Sequence, residues 1–207
     1  MAATHPQPLP LRERKRLRTR QAIANAALAE FTRHGFAAVT VDQLCEIAEV
    51  SKSTFFRTFP SKEAAAIEAE TEFWALFETG LDALPEGEPL FQSLMERLVA
   101  TITALPADWD ADYVRTRKLV VTAPELLAYV AHFRSTAEGR IRTRLAERLA
   151  LDPAHMRLAI CVGVLMTTWS FVARNWVMQH EGRDRAAFID RLRRAAVTTP
   201  QALTWAP

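Results

Sequence analysis

Lys52, Ser53, Thr54, Phe56 and Arg57 stand together in the run VSKSTFFRTFPSKE, and their side chains are suited to touching a nucleic acid rather than to making or breaking bonds. Short hydroxyls and long cations reach base edges and phosphates, and an outward phenylalanine is costly in water unless a sugar or a thymine methyl covers it. Upstream, RERKRLRTR crowds Arg12, Arg14, Lys15, Arg16, Arg18 and Arg20 against the single acid Glu13. Such a run is often only a solvated face, but ahead of a groove-reading helix it is placed to touch phosphates or a minor groove. Lys62 adds one more cation. Bond-making chemistry has no comparable constellation. His5, His34, His132, His155 and His180 are isolated, there is no HExxH pair and no nucleophile motif, and the carboxylates read as solvated helix faces. We therefore expect neither an enzyme nor a cofactor or metal.

The elements that position these residues are legible from their caps. Thr40 followed by Gln43 has the form of a capping box, so a short helix should begin at Val41. Val41, Leu44, Ile47 and Ala48 give it one buried face. Ser51 can cap a second short helix over Lys52 to Thr58, in which Phe55 and Phe59 look inward and Phe56 outward. Pro60 stops it, and Ser61 caps a helix running from Lys62 to about Leu84 that carries Phe73, Trp74 and Phe77. Ahead of the pair, Ala24, Leu28 and Phe31 continue the arm as a buried stripe, which Gly35 ends. Two short helices joined by about three residues, the second presenting polar and basic groups, form a helix-turn-helix; the plain alternative is a helical hairpin in a bundle.

The run VSKSTFFRTFPSKEA, preceded by GFAAVTVDQLCEIAEV, resembles the DNA-binding domain of the TetR family of bacterial transcriptional regulators, over about Arg12 to Ala66. The resemblance implies an all-α protein with an N-terminal three-helix helix-turn-helix domain and a C-terminal helical ligand-binding and dimerisation domain. It implies DNA contacts from Arg14, Arg16, Arg18, Thr40, Ser51, Lys52, Ser53, Thr54, Phe56, Arg57 and Lys62. The family pattern usually has Gly at Glu49, Tyr at Phe56, and His or Tyr at Thr58. A side chain at Glu49 strains a turn that glycine would enter freely. Phe56 has no hydroxyl to give a phosphate, and Thr58 is short.

Composition agrees. The chain has 207 residues, 49% hydrophobic, and only six glycines, which leaves little room for hairpins or phosphate-cradling loops. The net charge of +2 hides a split. Through Lys62 there are ten basic and five acidic residues, from Glu63 to Asp110 one basic and eleven acidic, and beyond that fifteen basic and eight acidic. A basic head on an acidic neck suits a DNA-binding protein. Cys45 and Cys161 have no metal or disulfide spacing, as in a reducing cytoplasm. MAATHPQPLP lacks the apolar core of a signal peptide and reads as a disordered lead-in over residues 1–10, ahead of domains at 11–66 and 67–207. The sixteen weakly polar residues between Arg157 and Arg174 are short and polar for a bilayer span, so no membrane role is expected.

In the second domain we expect helices near Pro89 to Leu105, Asp112 to Ala123, Glu125 to Ala150, Ala154 to His180 and Asp184 to Thr199. The fourth has two apolar stripes: Leu158, Val162, Leu165, Trp169, Val172 and Trp176 on one side, Ile160, Val164, Phe171 and Met178 on another. One can meet its own domain, leaving the other for a partner subunit or a ligand. A homodimer through the last two helices would present two heads to a palindromic operator. Phe91, Met95, Tyr113, Arg117, Phe133, Met166, Trp169, Ser170 and Arg174 are candidate ligand-binding residues, with Arg115 and Lys118 beside Arg117 as further cations. The RERK-type arm and TFFR helix resemble regulators of acyl-CoA-like molecules, implying an elongated apolar or amphipathic effector. A repressor released by it is the leading expectation. The competing one is a helical ligand carrier or interaction protein that no longer binds DNA.

Overall fold

The computed structural model describes residues 10–179 and 183–206. The expected lead-in, except Pro10, the last residue of the fourth helix, His180, and the break at Gly182 lie outside them. The protein is all-α, with no strand among the described residues. It divides into two compact units, one through Glu68 and the other from Ala69.

The first unit contains α1 (Leu11–His34), α2 (Val41–Ile47), α3 (Lys52–Thr58) and α4 (Lys62–Ala66). Gly35 ends α1 at φ 85°, a left-handed value that favours glycine. The capping box is formed: Thr40 N donates to Gln43 Oε1 at 2.8 Å, and Gln43 N to Thr40 Oγ1 at 3.3 Å. Ser51 and Ser61 cap α3 and α4 by accepting from Thr54 N and Ala64 N. Ile23, Ala27, Phe31, Leu44, Phe55 and Phe59 are fully enclosed. Burying each large one is worth about 1.5–3 kcal/mol, so this small core can hold three short capped helices together.

Two expectations need correction. Ile47 is exposed, and Cys45 takes its place in the core beside Leu44. At about 100° per residue, Cys45 falls on the side of Val41 and Ala48, and Ile47 falls off its flank. The helix expected from Lys62 to Leu84 is interrupted at Ile67, whose φ is −108° and ψ 23°.

The second unit is built on α5 (Glu68–Thr79), a 3-10 turn (Leu81–Ala83), α6 (Leu90–Ala104), α7 (Trp109–Thr122), α8 (Pro124–Leu149), α9 (Met156–Val177) and α10 (Arg185–Ala202). The inner stripe of α9, from Leu158 to Trp176, is buried among aromatic rings of α5, α7 and α10. Its outer stripe is not: Ile160, Phe171 and Met178 are more than half exposed. Apolar on both sides, α9 has the length and composition to cross a membrane, although half of it faces this core. α10 runs past Thr199 and includes Pro200. Proline cannot donate to the carbonyl four residues back, and Gln92 Nε2 of α6 donates to that Ala196 carbonyl instead, at 3.0 Å.

Candidate functional site

α3 is a two-turn helix held by its cap at one end and by Phe55 and Phe59 beneath it. Lys52, Ser53, Phe56 and Arg57 are therefore left on one outer face, all exposed. Phe56 is 52% exposed, with its ring meeting Phe55 edge-on at 5.4 Å. Thr54 is half-buried, and its hydroxyl bonds to Ser51 Oγ at 3.0 Å and accepts from Arg57 at 3.4 Å. Thr58 donates to Thr54 O and stays within its own helix. Lys52 pairs with Asp42 of α2 at 2.6 Å, and that hydrogen bond raises its pKa.

The turn between α2 and α3 is left-handed at Glu49, with φ 52°. Val50 N donates to Cys45 O at 2.9 Å and Glu49 N to Glu46 O at 3.2 Å, the two bonds of a Schellman motif. A glutamate thus occupies the position that normally favours glycine. Ala150 repeats the arrangement after α8, at φ 53°.

The arm does not behave as one unit. Arg12, Arg14, Lys15, Arg16 and Arg18 are exposed and carry no ion pair among the described residues. Arg20 turns inward. It grips Glu68 with two hydrogen bonds at 2.5 Å, donates to Thr58 O at the end of α3 at 2.9 Å, and lies over the Phe59 ring at 4.4 Å. Burial pushes the Glu68 pKa up, and Arg20 opposes that shift. Lys62 also looks inward: its ammonium donates to Phe36 O at 3.0 Å and Val39 O at 3.1 Å, and sits 4.4 Å from the centre of the Phe36 ring. It ties the loop between α1 and α2 to the start of α4 and keeps one N–H.

In the second unit the expected ligand residues separate. Tyr113 and Arg117 of α7 converge with Trp169 and Ser170 of α9 on a carboxylate absent from the sequence-derived set, Glu70 of α5, which is fully buried. Arg134 of α8 donates to Glu70 at 2.7 Å and to Ser170 Oγ at 3.2 Å; Arg117 and Trp74 reach Glu70 at 3.5 Å. Burial and the Glu70 charge push the Tyr113 phenol far above its ordinary pKa. Met95 and Met166 belong to the packed core, and Phe133 packs half-buried against it. The other two do not join this centre. Arg174 is exposed on the outer side of α9, and Phe91 lines a shallow groove with Ile160, Cys161 and Leu203. Arg115 and Lys118 are exposed as well, with Arg115 paired to Asp112.

Sequence reasoning passed over Glu70, Arg134 and Glu68, and counted Arg20 among the arm cations placed to touch phosphates, whereas it bonds to Glu68 and Thr58 O. A signal existed for two of them. Glu70 shares a helical face with Phe73, Trp74 and Phe77, and Arg20 shares one with Ile23, Ala24 and Ala27. A charge one turn ahead of a buried stripe lies on that stripe.

A capped helix pair with a Schellman turn, an exposed polar second helix and an exposed basic arm define a helix-turn-helix DNA-binding protein. Residues 23–69 match the family model of bacterial regulatory proteins of the tetR family. The HTH-type transcriptional regulator TcmR of Streptomyces glaucescens is 30% identical over 175 residues, 82% of this chain and 77% of that one. This chain belongs to the TetR family and is a transcriptional regulator. Its fold is shared with GusR of Salmonella enterica, at TM-score 0.55 and 20% identity, with 91% of this chain and 97% of that one covered. It is shared equally with a transcriptional regulator of Rhodococcus sp. Rha1, at TM-score 0.52 and 15% identity, covering 91% and 99%.

Proposed function

We propose that the protein acts in the cytoplasm as a homodimeric repressor that holds a palindromic operator and leaves it when a small apolar or amphipathic effector binds the second unit. The observation that carries the reading is the outer side of α9. Ile160, Val164 and Phe171 form, with Ala195 of α10 and Leu203 just beyond its end, an open groove of about 880 Å³ that an isolated chain leaves wet. Exposed apolar surface of this extent favours a partner, and a second copy of the same chain, related by a twofold axis, would cover it with its own α9 and α10. Such a pair carries two heads, which suits two half-sites one helical turn or a multiple of it apart.

On the DNA side, the reading is supported by Lys52, Ser53, Phe56 and Arg57 sharing an exposed face and by the free cations Arg14, Arg16 and Arg18. Thr40, Ser51 and Thr54 act there through their caps, and Lys62 through the loop it holds and its remaining N–H. The test has two parts. Sedimentation should give a dimer at micromolar concentration, and Val164→Asp should dissociate it and weaken operator binding together; a monomer in the natural chain would end the proposal. An inverted repeat near the gene should bind with an affinity that falls steeply as salt rises.

A further inference from the structure

The seven residues of α3 make only two turns, and the two ends of the helix are finished differently. Ser51 caps the first. At the last, Phe59 N closes onto Phe55 O at 2.7 Å, and the next residue is Pro60, which has no N–H to give the Phe56 carbonyl. Arg20 supplies a hold there. Its Nη1 donates to Thr58 O at 2.9 Å and its guanidinium carbon lies 4.4 Å from the centre of the Phe59 ring, so it grasps two consecutive residues. A cation at that end also meets the negative pole of the helix dipole. Glu68 takes Nε and Nη2 together, and a guanidinium held through both sides of its fork cannot turn away without breaking two charge-assisted bonds. Because Arg20 stands within the 24-residue α1, the end of α3 is fixed to the longest helix of the first unit.

Base edges and phosphates ask different things of such a helix. A base contact is lost when its side chain moves by more than about 0.5 Å or 10–20°, whereas a long exposed cation follows a phosphate through a larger shift. The end of α3 that Arg20 holds is the end nearer Phe56 and Arg57, which share the exposed face with Lys52 and Ser53. Given the DNA-binding role of α3, on which this rests, we propose that Arg20, locked by Glu68, is a positioning residue for base reading. It keeps the carboxyl end of α3 in place so that the exposed face meets base edges in register, and it gives no charge to phosphate. Its neighbours in the arm do the reverse.

The test uses the full chain, a duplex that it selects from a random pool, and an unrelated duplex of the same length. Glu68→Gln decides by its sign. The Glu68 side chain is 12% exposed and anionic, so if charge alone mattered, neutralising it would tighten both duplexes. Positioning demands the opposite for the selected duplex, a loss of about tenfold, the size of one base contact, with the unrelated duplex held within about twofold. Arg20→Gln should lose selectivity to the same degree while the slope of log affinity against log salt stays as it was, and the double variant should lose no more than the worse single one. A slope that falls by about 1 per protomer in Arg20→Gln, with both duplexes weakened alike, would make Arg20 a phosphate contact and overturn the proposal. Glu68→Gln with unchanged or tighter binding of the selected duplex would overturn it too. Circular dichroism and binding of the unrelated duplex show that a variant is folded, and if Arg20→Gln is not, Glu68→Gln still decides. A natural chain that selects no duplex overturns the operator reading and this one together. A natural chain that selects one, with selectivity kept in both variants, overturns this one alone.

Discussion

Arg18 and Arg117 are the same residue put to opposite uses. In the first unit Arg12, Arg14, Arg16 and Arg18 hold their guanidiniums in water, with no ion pair among the described residues, where they cost little to keep and attract any polyanion within about a Debye length. In the second unit Arg117 and Arg134 have left most of their water, are matched to a carboxylate with no exposure, and are almost beyond the reach of salt. The lesson is that charge in this protein is sorted by solvation. Exposed cations provide reach and salt dependence, while enclosed ones provide geometry and a demand for a specific partner.

The sharpest way to break that contrast is Glu70→Ala, which strips both guanidiniums of their anion; we expect a loss of about 3–5 kcal/mol in denaturant unfolding. A loss below about 1 kcal/mol would mean that water already screens the centre. Next comes a pair of substitutions two residues apart. Arg20→Ala removes the bonds to Glu68 and Thr58 and should cost about 2 kcal/mol. Arg18→Ala should leave stability within about 0.5 kcal/mol, while the slope of log affinity against log salt falls by about 1 per protomer. If both change stability alike, the arm is not divided where we divide it.

Smaller effects test neutral counterparts of the same rule. Gln92→Ala leaves the Ala196 carbonyl without a donor and should cost about 1 kcal/mol of thermal stability; paired with Pro200→Ala, which restores the helix donor, most of that loss should return. Glu49→Gly should raise stability by about 0.5–1 kcal/mol by relieving the left-handed glutamate. A destabilised Glu49→Gly variant would show that the glutamate side chain holds something worth more than the strain.

What was legible in the sequence follows from how local each feature is. The capping box, the Ser51 and Ser61 caps, the inward Phe55 and Phe59 and the outward Phe56 are each set by residues within four positions, and each stands where the spacing placed it. The two faces of α9 were equally readable, because a stripe is a local count. Glu70 was not, since its partners lie 47 and 64 residues further on and nothing nearby marks it except the aromatic face that it shares. Ile47 failed for a different reason. A stripe written at every third residue drifts off the helix face within two turns. The interruption at Ile67 has no signal in the sequence that we can name.

The bond from Gln92 to the carbonyl freed by Pro200 also has a consequence in time. Its two ends are separated by 104 residues, and on a ribosome adding about 5–20 residues per second the earlier end emerges on the order of 5–20 s before the later one. Through that interval α6 has an apolar face, with Leu94, Leu98 and Ile102, and no α10 to lay it against. One carbonyl near the end of α10, that of Ala196, has no backbone donor from its own helix, so it is satisfied only when that waiting face is reached. Among the hydrogen bonds of the described residues this one spans the longest stretch of chain, and truncated products lacking α10 should be ones that chaperones and proteases find.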